Sequence, residues 1–66
     1  MMKLTVNGKE NETGAATLAD LIKTLGYEGD YFAVALNMTC IPRSQYAATR
    51  VKEGDAIEIL TPMQGG

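Results

Sequence analysis

The 66-residue chain has no histidine, no tryptophan, one cysteine and one phenylalanine. A single cysteine, Cys40, rules out a disulfide within the chain, and one cysteine without histidine leaves too few ligands for a Cys/His metal site. A reactive thiolate needs a nearby base or positive charge. No histidine can serve, and Arg43 is the nearest cation in sequence. Cys40 therefore reads as a small apolar residue on a short strand. Basic residues are few and dispersed: Lys3, Lys9, Lys23, Arg43, Arg50 and Lys52 form no cluster that could neutralise phosphates, so nucleic-acid binding is a poor reading. The net charge of −2 suits a partner with a basic groove. No apolar run is long enough to span a membrane, and Met1 to Val6 lacks the apolar core and cleavage site of a signal peptide. The expected compartment is the cytoplasm. Asn7-Gly8 and Glu53-Gly54-Asp55 are too short and isolated to be phosphate loops.

What is present fits one small domain. Apolar residues make up 45% of the chain, a normal globular fraction that argues against disorder. At this length folding buries about 60% of the surface the unfolded chain exposes. Met2-Lys3-Leu4-Thr5-Val6 alternates with the period of a half-buried strand, Met2, Leu4 and Val6 facing inward. Asn7-Gly8 is a two-residue hairpin signal, because both positions tolerate positive φ. Lys9 to Glu12 is the polar return strand, at or near an edge. A loop through Thr13-Gly14-Ala15-Ala16 leads to Thr17, a candidate N-cap, with Asp20 three residues on as a short-armed capping box. Leu18, Leu21, Ile22 and Leu25 share one helical face, and Gly26 stands where a helix would stop. The spacing predicts a helix over 18–25.

After a polar loop over 27–30, Tyr31-Phe32-Ala33-Val34-Ala35-Leu36 predicts a central strand, apolar on both faces. Asn37-Met38 is a turn, Thr39-Cys40-Ile41 a short strand that Pro42 ends, and Pro42 to Tyr46 a connector with a turn of helix. Lys52-Glu53-Gly54-Asp55 is a turn into the last strand, Ala56 to Leu60, with Ile57 and Ile59 on one face and Glu58 on the other. Tyr27, Tyr31, Phe32 and Tyr46 are weighed as a stacking surface and read better as packing. Asp20, Glu53, Asp55 and Glu58 are weighed as catalytic carboxylates; Asp20 reads better as helix capping and Glu53-Gly54-Asp55 as turn chemistry. The predicted class is α+β in two layers: a hairpin, one main helix on one face of a mixed sheet, then the later strands.

The tail Thr61-Pro62-Met63-Gln64-Gly65-Gly66 follows that last strand directly. Pro62 cannot continue a sheet ladder. Six extended residues would reach about 20 Å at about 3.3 Å each. Gly65-Gly66 has no side chain at its tip, so it could thread a tunnel that any side chain would block, and it would present an unhindered α-carboxylate. The alternative is a frayed terminus.

The element order and the terminal Gly-Gly resemble the ubiquitin-like β-grasp fold. Phe32-Ala33-Val34-Ala35-Leu36-Asn37, Ile41-Pro42-Arg43-Ser44-Gln45-Tyr46, Glu53-Gly54-Asp55-Ala56-Ile57-Glu58-Ile59 and Gly65-Gly66, in this order, resemble the sulfur carriers of thiamine biosynthesis, the ThiS family. That resemblance implies a β-grasp domain over 1–60 and a flexible Gly-Gly tail over 61–66. It implies a carrier that acts as a protein substrate, not as a catalyst, and that binds no cofactor. A ThiF-like enzyme would adenylate Gly66 using ATP and magnesium, a cysteine persulfide would supply sulfur, and a ThiG-like thiazole synthase would use the resulting thiocarboxylate. Gly65, Gln64 and Met63 would thread into the partner active sites. The sheet face left open by the helix would dock those partners, with Met38, Ile41, Leu60 and Met63 as candidates. Two other roles use the same tail: the small subunit of molybdopterin synthase, and a protein modifier joined to lysines. A plain interaction module with an incidental Gly-Gly is the fourth reading.

Overall fold

The computed structural model describes residues 1–27 and 32–61. Five strands form one mixed sheet in the order β2-β1-β5-β3-β4. They are β1 (Met2–Val6), β2 (Lys9–Thr13), β3 (Ala33–Leu36), β4 (Thr39–Ile41) and β5 (Ala56–Leu60), with one α-helix, α1 (Leu18–Thr24), and a 3₁₀ helix (Arg43–Ala48) between β4 and β5. β1 and β5 run parallel at the centre, and every other pairing is antiparallel. This is the ubiquitin-like β-grasp.

Both hairpins turn on an asparagine in the left-handed region. Asn7 (φ 52) and Gly8 (φ 82) join β1 to β2, and Asn37 (φ 50) and Met38 (φ 72) join β3 to β4. Positive φ at both central residues matches the right-handed twist of the flanking strands, which favours two-residue turns of this kind. Methionine at such a position is uncommon and carries a steric cost that glycine would avoid.

Helix α1 begins and ends as its sequence dictates. Thr17 is extended (φ −122, ψ 165), and its hydroxyl accepts from the Asp20 N–H at 3.1 Å. The Leu18 N–H, which no helical carbonyl can reach, donates to Thr49 O at 2.8 Å. At the other end Gly26 adopts φ 91, the Gly26 N–H donates to Lys23 O and the Tyr27 N–H donates to Ile22 O. Those two bonds form a Schellman motif, so Leu25 is the C-cap and the regular helix stops at Thr24.

The core lies between α1 and one face of the sheet. Leu18, Leu21 and Ile22 pack against Leu4, Val6, Val34, Ile57 and Ile59, with Val51 and Tyr46 closing the side. Burying each of these large side chains contributes about 1.5–3 kcal/mol. Phe32 stacks on Tyr46 with ring centres 6.4 Å apart and meets Tyr27 at 5.6 Å in a tilted pair. The three described aromatic residues are therefore packing, not a stacking platform.

Two expectations change. The return strand includes Thr13, buried where it faces Met2, with its hydroxyl accepting from the Ala15 N–H. The strand predicted over 31–36 is observed as Ala33–Leu36, and it is apolar without being buried on both faces. Val34 is buried while Ala33 is exposed, because no described element covers the outer side of the sheet. β3 is an interior strand, flanked by β5 and β4, and β5 stands at the middle of the sheet. Tyr31 and the loop over 28–30 lie outside the described residues.

Candidate functional site

The strand that feeds the tail is held from both sides. β5 alternates strictly, Ile57 and Ile59 buried and Ala56, Glu58 and Leu60 exposed. On the β1 side the ladder is short, since β1 pairs with β5 only at Thr5↔Ala56 and Val6↔Ile57. Beyond it β1 turns away into its hairpin, and side chain replaces backbone. The carboxamide of Asn7 accepts from the Ile59 N–H through Oδ1 at 2.8 Å and donates from Nδ2 to Ile59 O at 3.2 Å. At the strand's start the other hairpin asparagine does similar work. Asn37 Oδ1 accepts from the Ala56 N–H at 2.9 Å, and the Asn37 backbone N–H donates to Ala56 O at 2.7 Å. Two turn residues thus bracket the strand that enters the tail. As turn residues they were legible; their second role was not, because Asn7 and Ile59 are 52 positions apart.

The outer face of the sheet is divided. Cross-strand partners share a face, which places Lys3, Thr5, Glu10 and Glu12 on the β1–β2 half. The β5–β3–β4 half carries Ala33 opposite Leu60, and Ala35 between Glu58 and Cys40. Its apolar side chains lie beside the end of β5. Leu60 is 67% exposed, and Met38, at the hairpin tip, is 92% exposed. These two remain candidates for docking. Ile41 is half-buried against the core and is the weaker candidate. Cys40, expected as a small apolar strand residue, lies on β4 and is exposed.

Of the four carboxylates weighed as catalytic, Asp55 alone is buried. Its Oδ2 accepts from the Lys52 N–H at 2.8 Å and its Oδ1 accepts from Asn37 Nδ2 at 3.0 Å, which is turn chemistry. Burial, with a smaller contribution from Cys40, raises the Tyr46 hydroxyl above its ordinary value of 10.0 against an opposing pull from Arg43. Among the described residues no three His, Cys, Asp or Glu side chains converge on a possible metal position, and no helix is long and apolar enough to cross a membrane. Met63, Gln64, Gly65 and Gly66 lie outside the described residues.

Residues 3–66 match the ThiS family. Over 98% of its length the chain is 38% identical to a thiazole synthase of Paramagnetospirillum magneticum, of which it covers 20%. It is 33% identical, again over 98% of its length, to a thiazole synthase of Magnetococcus marinus, also covering 20%. The chain thus spans about a fifth of the length of these two curated relatives. The crystal structure of a thiamine biosynthesis protein, ThiS, from Geobacter metallireducens superposes with a TM-score of 0.81 at 40% identity, covering 98% of this chain and all of that one. A solution structure of a thiamine biosynthesis protein from the same organism gives 0.81 at 39% identity, covering 98% of this chain and 88% of that one. With its sheet order, its single helix and a match that runs the length of the fold, the chain belongs to the ThiS family.

Proposed function

We propose that the chain carries sulfur on Gly66 for assembly of the thiazole ring of thiamine. The observation that carries this reading is that the family match runs through residue 66, so Gly65 and Gly66 fall inside it. The two thiazole synthases of similar sequence support the choice of acceptor.

The chemistry required is simple to state. A carboxylate is resonance-stabilised and has no leaving group, so it cannot exchange oxygen for sulfur unaided. Adenylation of Gly66 by a ThiF-like enzyme, with ATP and magnesium, releases pyrophosphate and leaves an acyl adenylate. The terminal sulfur of a cysteine persulfide then attacks the acyl carbon and AMP departs. A thiol cleaves the S–S bond of the resulting acyl disulfide, taking the donor's sulfur into a new disulfide and freeing the thiocarboxylate. A ThiG-like thiazole synthase takes up that sulfur. The chain supplies no acid, base or metal to these steps. It supplies a slim terminal carboxylate at Gly65-Gly66, with Met63 and Gln64 leading it into the partner active sites. The apolar half of the open sheet face, with Ala33, Ala35 and Leu60, lies next to the root of the tail, where a partner could hold the body while the tail enters. In this reading residues 1–60 are the docking body and 61–66 the delivering tail.

The test is the mass of the C-terminal peptide before and after incubation with ATP, a persulfide donor and the activating enzyme, using Cys40→Ser protein so that the chain's sole thiol is gone. Replacement of one oxygen by sulfur at Gly66 is the expected result. An unchanged mass with a competent activating enzyme overturns the reading in favour of an interaction module. An adenylate that passes to lysine makes the chain a protein modifier.

A further inference from the structure

We propose that Asn7 is a positioning residue for activation of the tail: its carboxamide holds the end of β5 that leads to Gly66. The inference rests on the carrier reading above and adds a residue to it that lies in the first hairpin, remote in sequence from the tail.

Three observations carry it. First, Asn7 makes both of its side-chain bonds to one residue, Ile59, through Oδ1 and Nδ2. The carboxamide copies the donor and acceptor of a strand backbone and extends the β1–β5 ladder by one step after β1 has turned away. Second, Ile59 is buried at 4% exposure, so its amide and carbonyl would lack partners on that side without Asn7. Third, Ile59 is the last buried residue of β5, with Leu60 and Thr61 exposed after it. The clasp therefore holds the far end of β5 on the β1 side, as the pairing of Val34 with Ile59 and of Ala33 with Leu60 holds it on the β3 side. Its removal leaves Ile59 and Leu60 held by β3 alone, so the end of the strand opens more readily and must be re-ordered when the chain beyond it enters an active site.

The turn itself does not require this side chain. Asn7 sits at φ 52, a conformation glycine adopts freely, so Asn7→Gly keeps the hairpin while deleting the clasp. Asn7→Asp keeps the acceptor for the Ile59 N–H and loses the donor to Ile59 O. Asn37→Gly is the control, and it also gives up the bond from Nδ2 to Asp55 Oδ1. It sits at φ 50 in the other hairpin and binds the same strand, at Ala56, the end away from the tail.

Steady-state adenylation of the full chain by a ThiF-like activating enzyme, together with amide hydrogen exchange, tests the proposal. Asn7→Gly is expected to lose protection at Ile59 and to raise the enzyme's KM for the carrier about tenfold, with kcat unchanged, the cost of re-ordering the freed chain. Asn7→Asp should fall between. Asn37→Gly should lose protection at Ala56 and leave KM as in the parent chain. A purely structural role would move the two glycine variants alike, so equal KM values in both overturn the proposal. A parent chain that is not adenylated at all removes the carrier reading and this inference with it. That result is distinct, because the comparison of variants then has no activity to compare.

Discussion

Asn37 donates from Nδ2 to Oδ1 of Asp55 across 3.0 Å, joining the tip of the second hairpin to the turn before β5. The other carboxylate oxygen takes the Lys52 N–H, so both oxygens of a carboxylate 4% exposed are satisfied. Removing Asp55 strands two donors. Asp55→Ala is expected to cost about 1–3 kcal/mol. At roughly 0.05–0.15 kcal/mol per residue the whole fold holds about 3–10 kcal/mol, so the loss is a sizeable share. In urea unfolding, Asp55→Ala combined with Asn37→Gly should fall short of the sum of the single variants, since each removes the same bond. Additive losses would show that the contact carries no energy.

Alkaline stability should depend on Tyr46. Burial holds its hydroxyl above the ordinary value of 10.0, with Cys40 adding to the shift and Arg43 opposing it. The unfolded chain therefore loses this proton first. The contribution is fully present below pH 10 and is lost as pH rises through the higher folded value. Thermal unfolding followed from pH 8 to 11 should show a fall in Tm that is shallower in Tyr46→Phe than in the parent. An identical slope in the two proteins would remove Tyr46 from the account.

The parts of this fold legible in sequence are those set by local spacing. Leu18, Leu21 and Ile22 recur with the helical period and are buried; Thr17 and Gly26 marked the ends because capping needs one side-chain acceptor and one left-handed residue. Asn7-Gly8 announced its hairpin for the same local reason. The rest depends on what lies opposite. Ala33 and Ala35 look like core in sequence, yet their face is open, and only the placement of the helix on the other side shows it. Cys40 misleads in the same way, being an apolar residue on an uncovered face. The clasp between Asn7 and Ile59 and the burial of Asp55 are long-range facts with no periodic signature. Gly65-Gly66 after an alternating strand is a signal of composition alone, and it lies outside the described residues.

Cys40 shares a row of the outer face with Ala35 and Glu58. The carrier reading gives its sulfur no role, so Cys40→Ser should receive and transfer sulfur within about twofold of the parent, an exposed substitution having little effect on folding. A bulky maleimide adduct is different. If the apolar half of this face docks the activating enzyme, alkylated protein should lose adenylation, and Cys40→Ser treated with the same reagent should not. Full activity of the alkylated carrier would move the docking surface elsewhere.

Gly65 offers the sharpest test of what the tail is for. A glycine before the reacting residue has two separable uses, backbone freedom and slimness, and the proposed threading needs the second. Gly65→Ala adds one methyl group, while Gly65→Val adds a branched side chain that also stiffens the backbone. On the carrier reading Gly65 belongs to a tail that packs against none of the core, so the fold should not register either change. Tm should therefore stay within about 1 °C of the parent in both variants, surface changes being nearly neutral. Adenylation should fall in steps, modestly for Gly65→Ala and about a hundredfold for Gly65→Val, the scale of loss when a reacting group is held about 1 Å out of place. Lost activity with an intact fold would place the defect in delivery of the carboxylate. Normal turnover of Gly65→Val would mean that no narrow passage is entered, and Gly65 would then be dispensable to the chemistry at Gly66.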